Sequence, residues 1–270
     1  MSTKAISIVG IVLVLLGGAV YFSRSPGTSV TTPSEGTASS TPINLGALDA
    51  VVEDSAGATS TIQVLPGDRA LLPKPIPSLT RAFIPPSPEF NAQAKKILED
   101  KYAVYVKELT VNPSNINTWL QIGILQRMVH DTAGALESWL YASRLNSKAA
   151  VPHKNLADLY MYDIHDNVKS ESEWKIAIAL DTKDTTAYRG LFDLYRLAYT
   201  EKASLAPGVL LSGLKVTPDN IDLMLPLAGY YKEMKDTTNA RIYFEKALAE
   251  ARVRGNTQLA AQIQAELDTL

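Results

Sequence analysis

The sequence predicts an all-α fold, a right-handed superhelical solenoid of about four helix pairs with a helix before them and a capping helix behind them. Three observations point to it. Small and aromatic residues recur at a spacing of about 35 residues, a length that suits stacked helical hairpins. Within each segment the apolar residues fall three and four apart, as on one face of a helix. Polar turn residues and helix-capping signals separate the segments. The stretch WLQIGILQRMVHDTAGALESWLYASRL, residues 119–145, carries all three features.

Composition limits the function. The 270 residues carry a formal charge of -2, so no nucleic-acid footprint is present. Cysteine is absent, which removes thiolate nucleophiles, zinc-thiolate sites and attachment of lipid through a cysteine. Behind a short tail, residues 1–5, Ile6 to Phe22 read ISIVGIVLVLLGGAVYF. This uncharged run is predicted to be a single transmembrane helix spanning roughly 25 Å. Lys4 precedes it, and Tyr21, Phe22 and Arg24 follow it in the manner of an interfacial belt, with a slight bias toward a cytoplasmic N-terminus. Gly17-Gly18-Ala19 offers the alternative of a cleaved signal peptide.

Residues 23–86 are predicted to be a linker. Its first part, SRSPGTSVTTPSEGTASSTPINLGAL, holds too few large apolar groups to offset the entropy of ordering and is expected to be disordered. STIQVLPGDRALL, residues 60–72, alternates before a Pro66-Gly67-Asp68 turn and is read as extended chain, with a short strand as the alternative. LLPKPIPSLTRAFIPPSP is read as a stiff polyproline connector, or else as a ligand for a proline-reading module.

Ser87-Pro88-Glu89 signals a helix start, and a leading helix is expected within 87–113, ending at Asn112-Pro113. The repeats fill 114–254, as pairs at about 116–149, 150–183, 184–219 and 220–254, and residues 255–270 supply the capping helix. On the first helices, Ile122-Gly123, Leu156-Ala157, Leu191-Phe192 and Leu227-Ala228 recur. On the second helices Trp139, Trp174, Leu210 and Phe244 recur, each followed three residues later by Ala142, Ala177, Gly213 or Ala247. A small residue lets two helix backbones approach while an aromatic fills the gap between pairs. Two departures stand out: the second and third repeats carry insertions, and Pro226 falls inside a first helix, where it is expected to kink or delay it. Pro207 lies in a first turn and is compatible with helix.

This pattern resembles the tetratricopeptide repeat family, through Trp119, Ile122, Gly123, Ala135 and Trp139 in the first repeat. Leu156, Ala157, Tyr160, Trp174 and Ala177 carry it in the second, Leu191, Tyr195 and Pro218 in the third, and Leu227, Ala228, Tyr231, Ala240, Phe244 and Ala247 in the fourth. The resemblance implies a protein-binding scaffold whose first helices line a concave groove. Carried onto this chain, its groove positions are Leu120, Ile124 and Arg127, then Lys154, Asp158 and Met161, then Arg189, Asp193 and Arg196, and finally Asp222, Leu225 and Lys232. Lys154 and Asp158, like Arg189 and Asp193, stand four apart and are read as self-paired on a solvated face. Arg127, Arg196 and Lys232 are expected to remain free for the carboxylates of a partner segment. Leu120 and Ile124 replace the residues with which some family members clamp a chaperone's C-terminal carboxylate, so that role is disfavoured.

No Gly-rich phosphate loop, HExxH or GxSxG motif occurs, and no catalytic, cofactor-binding or metal residue is assigned. His130 and His165 each precede an aspartate at a turn, and Asp163-Ile-His165-Asp166 is read as turn chemistry rather than as a metal site. The three tryptophans are assigned to the core. The expected function is a single-pass bacterial plasma-membrane protein, held through residues 6–22, that presents a groove outside the cytoplasm to a protein or peptide segment. Secretion after signal cleavage, a self-associating envelope spacer and a cytosol-facing receptor are the alternatives.

Overall fold

The computed structural model describes residues 12–16, 19–23, 72–86 and 89–270. In the apolar N-terminal run it places two antiparallel strands, β1 (Val12–Leu16) and β2 (Ala19–Ser23), paired from Val12 with Ser23 to Leu16 with Ala19, where one helix was expected. The run is rich in valine and isoleucine, which favour strands, and is interrupted by Gly17-Gly18, residue types suited to a two-residue hairpin link. Residues 6–11 and 17–18 of the expected helix lie outside the described residues, as do residues 24–71 of the expected linker. Among the described residues, no helix is long and apolar enough to cross a membrane.

The proline-rich segment, residues 72–86, is part of the folded domain rather than a spacer. Leu72 is buried, and Ile76, Leu79 and Phe83 pack against the first core cluster. Phe83 stacks on Tyr102 with ring centroids 4.3 Å apart. Arg81 pairs with Asp131 at 3.3 Å and Glu137 at 3.4 Å, and Arg144 donates to the Pro75 carbonyl at 3.0 Å. Proline spacing hides apolar periodicity, so the sequence read this strap as a connector.

The leading helix, α1 (Ala92–Val111), begins later than expected. Asn91 caps it by accepting from the Ala94 amide at 2.8 Å, and Ser87 and Pro88 lie outside the described residues. Four pairs follow: α2 (Ile116–Met128) with α3 (Thr132–Leu145), α4 (Ala150–Leu159) with α5 (Asn167–Leu180), α6 (Thr185–Asp193) with α7 (Ala206–Val216), and α8 (Ile221–Glu233) with α9 (Thr237–Val253). The final helix is α10 (Thr257–Asp268). Each helix packs on its sequence neighbours, so the core runs through the stack as three adjoining clusters rather than one centre. Pro226 sits inside α8, which neither starts late nor breaks, while Pro207 occupies the first turn of α7 as expected.

The insertions in the second and third repeats are absorbed at the ends of the first helices. There α4 and α6 widen into π-turns, Tyr160–Ile164 and Leu194–Ala198. The Asp131 amide donates five residues back, to Gln126 at 2.8 Å, whereas that of Asp166 reaches six back, to Tyr160 at 2.8 Å. In both cases the next residue pair turns the chain the same way. His130, His165 and Lys235 adopt left-handed φ values of 62°, 61° and 59°, and the following Asp131, Asp166 and Asp236 cap the second helices. The histidine–aspartate pairs are therefore turn and cap. Gly255 takes the same role before Asn256 with φ 68°. The third repeat lacks this turn and uses a 3-10 turn, Thr200–Leu205.

A left-handed conformation costs a residue with a Cβ about 1 kcal/mol that glycine avoids. Lys235→Gly is therefore expected to stabilise the fold by about 1 kcal/mol, measured as a higher urea midpoint. An unchanged or lower midpoint would contradict the turn geometry.

Trp119, Trp139 and Trp174 are all buried in the core. Trp139 lies on Gly123, where an added Cβ would meet its Nε1 at 2.2 Å, and that Nε1 donates to the Leu120 carbonyl at 3.1 Å. Trp174 does not repeat this within its own pair. It crosses to Gly190 of the next pair, where an added Cβ would stand 2.2 Å from its ring. Ala157 instead receives Ser170, which donates to its carbonyl at 2.8 Å.

Candidate functional site: the face of the first helices

The residues singled out from the sequence lie on the first helices, but their partners differ from those expected. Leu120 is 2% exposed and Met161 is likewise buried, so both belong to the core and offer no surface. Ile124 and Leu225 are half-buried, packed against the first and third clusters. Asp222 is exposed in the first turn of α8.

The cations expected to be free are engaged, each with an acid of the following pair or of the final helix. Arg127 pairs with Asp163 in the first π-turn, through Nε at 2.9 Å and a terminal nitrogen at 2.7 Å. Arg196, in the second π-turn, holds both oxygens of Glu233, at 2.6 and 2.7 Å. Lys232 reaches Glu266 of α10 at 2.9 Å and the Thr269 hydroxyl at 2.6 Å. Lys154 does not pair with Asp158 four residues on. It is buried and ion-paired with Asp184, which caps α6, and it donates to the Thr186 hydroxyl at 3.2 Å. These are bonds between successive pairs, and they fix how one pair sits on the next.

What remains between them is acidic. Ile124, Asp158, Asp193 and Gly229 occupy equivalent places on α2, α4, α6 and α8. Burial pushes the Asp158 carboxyl up to about 7, with Arg127 and Lys154 opposing that rise and Asp193 and Asp163 adding to it. Burial likewise raises Asp193, against the pull of Arg189 and Arg196. Tyr162 stands beside both: burial, then the Asp158 and Asp193 charges, push its hydroxyl up to about 12. At Gly229 an added Cβ would meet nothing within 4 Å, so the floor is open there.

The sign of the Asp158 effect follows. Below pH about 4 this carboxyl is protonated in both folded and unfolded chains. Between about 4 and 7 the unfolded chain ionises while the folded one holds its proton, so this residue's contribution to stability falls as pH rises toward 7. Asp158→Asn is expected to stabilise the protein on the order of 2 kcal/mol at pH 8 and to make little difference near pH 4. Urea unfolding at the two pH values checks this, and an equal effect at both would contradict it.

A second cluster escaped the sequence reading. Glu171 of α5 is buried and accepts from Tyr195 at 2.7 Å, from Lys175 at 2.6 Å and from Lys202. Burial raises its pKa, but the three hydrogen bonds outweigh that and hold it at about 2. No local signal in the sequence marks it, since Glu171 stands in the polar run Lys169-Ser170-Glu171-Ser172-Glu173. His153 bonds Glu173 at 2.6 Å across the second pair. Asp163 is held by Arg127, and among the described residues no group of three or more His, Cys, Asp or Glu side chains is placed to bind a metal.

No family model and no curated protein matches the chain. Similar solved structures include two of MamA, both with a TM-score of 0.48. One is 22% identical over 62% of this chain and 98% of its own, and the other is 21% identical over 61% and 88%. A third is YrrB, described as a TPR protein with an unusual peptide-binding site, with a TM-score of 0.43 and 14% identity over 60% of this chain and 88% of its own.

Proposed function

We propose that this protein is a membrane-tethered interaction scaffold whose first-helix face receives a segment of a protein partner. The observation that carries the reading is the continuity of that face. Ile124, Asp158, Asp193 and Gly229 stand at one place on four successive pairs, and the charges of Arg127, Asp158, Asp163 and Asp193 act on one another across three of them. A surface repeated in this way suits an extended or helical segment laid across the stack. The reading assigns the protein no chemical step and no cofactor.

The tether is the apolar run of residues 6–22. In hydrocarbon an open two-stranded hairpin leaves backbone groups unsatisfied, so insertion requires this run to form a helix. The proposed placement is a bacterial plasma membrane with the solenoid outside the cytoplasm, in keeping with Lys4 before the run and the polar residues after it. Protease added to intact cells should then degrade the C-terminal domain, and protection of that domain would overturn this topology.

The test of the groove is photo-crosslinking in cells from a probe at Gly229, whose side-chain direction is open, in the full-length protein. A dominant foreign protein is the expected product. Crosslinks only to other copies of this chain would favour the self-associating spacer, and an unreacted probe would move the site elsewhere.

A further inference from the structure

We infer that the segment received by the first-helix face is basic and apolar, with lysine or arginine side chains interleaved with leucine-like ones, rather than the acidic segment expected from the sequence. This rests on the groove reading above and specifies its partner. The first support is a row of exposed apolar side chains. Tyr162 (43% exposed), Leu197 (61%) and Met234 (60%) stand at or just past the ends of the first helices of three successive pairs. Single exposed apolar residues are ordinary, but these three recur near the C-terminal ends of first helices, four residues after Asp158, four after Asp193 and five after Gly229.

The second support is charge. Tyr162 feels both Asp158 and Asp193, and Leu197 follows Asp193 by four residues as Tyr162 follows Asp158. Neither of these carboxylates is held by a hydrogen bond or ion pair among the described residues, and burial disfavours the charged form of both. Arg127 and Lys154 act on Asp158, and Arg189 and Arg196 on Asp193, through space; a cation from outside would add a direct pair. The neighbouring cations are in the opposite condition. Arg127, Arg196 and Lys232 each already hold a carboxylate of the following pair or of the final helix, so an acidic segment would have to displace a built partner for each contact it made with them. Polar groups on a docking surface discriminate by the pairs they leave unmade, and here a basic segment completes pairs without displacing the acids held by Arg127, Arg196 and Lys232.

The test is fluorescence anisotropy with two labelled synthetic peptides, one of leucine and lysine and one of leucine and glutamate in the same order. They are titrated with the full chain in detergent micelles. An Asp158→Asn/Asp193→Asn double variant in the same micelles accounts for binding to detergent, and relief of two buried acids keeps that variant folded. The Leu/Lys peptide is expected to bind the unaltered chain at least about tenfold more tightly than it binds the double variant, and more tightly than the Leu/Glu peptide binds. Equal binding by the double variant, or preference for the Leu/Glu peptide, overturns the basic assignment. Gly229→Trp, whose Cβ enters open space and whose fold is checked by circular dichroism, separates the two levels: if it abolishes capture of whichever peptide binds, the groove reading stands even where the charge assignment fails. Undiminished capture by that variant, or capture of neither peptide by the unaltered chain, overturns both.

Discussion

Gly190→Ala is expected to destabilise the fold by about 2–3 kcal/mol, whereas the same change at Gly229 should stabilise it by up to about 1 kcal/mol. Both glycines lie within helices, where alanine is intrinsically better by about 1 kcal/mol. At Gly190 the new methyl would stand 2.2 Å from the Trp174 ring, and a buried indole has no room to withdraw. Relief would require α5 and α6 to move apart across the contact between the second and third pairs. At Gly229 nothing lies within 4 Å, so only the helical preference remains. Urea unfolding of the full chain, followed by circular dichroism, should move the two midpoints in opposite directions. A Gly190→Ala protein as stable as the parent would place Trp174 elsewhere.

Glu171→Gln should be nearly as costly, at about 2–3 kcal/mol near neutral pH. The amide keeps the shape but loses the charge that Lys175 and Lys202 face, and it turns donor groups toward them. Tyr195 lies in the second π-turn and Lys202 in the 3-10 turn, so the loss should concentrate where the third repeat departs from the common turn. Amide exchange across residues 194–205 should quicken more than elsewhere. The folded-state pKa of about 2 lies below the ordinary value of 4.5, so the stabilisation is present above about pH 4.5 and is lost as pH falls toward 2. The variant should therefore match the parent near pH 2, and a constant difference down to that pH would mean that the charge is not what Glu171 contributes.

How much of this was legible in the sequence depended on the range of the interaction. Contacts within a pair were legible in part: Gly123 was read as a point of close helix approach, but Trp139, expected between pairs, lies on it within its own pair. His130 and His165 were readable as turn residues. Contacts between pairs were not. Whether Lys154 meets Asp158 on its own helix or Asp184 at the start of the next is decided by the angle at which pairs stack, and no local pattern encodes that angle. The same holds for Arg127 with Asp163 and Arg196 with Glu233, whose acids are brought within reach by the π-turns and the stacking. The insertions were visible as changes of repeat length, but a longer loop and a widened helix end have the same length. Trp174 does fill the gap between pairs, on Gly190, a residue that the repeat pattern did not single out. On the first-helix face, Leu120 and Met161 lie in the core, and the cations counted as available already hold carboxylates, because the burial and pairing of each are set by the neighbouring pair.

The strap of residues 72–86 also decides how the domain responds to load. Its contacts are arranged in series, from Arg144 at Pro75, through Ile76 and Leu79, to Arg81 on Asp131 and Phe83 on Tyr102. Tension arriving from the N-terminal side enters at Leu72 and meets them one at a time. They therefore peel rather than shear, and the strap yields before any helix pair is pulled. Each contact released uncovers part of the first core cluster while the rest of the stack stays intact. Under a pull from that side the strap would act as a mechanical fuse at the first repeat.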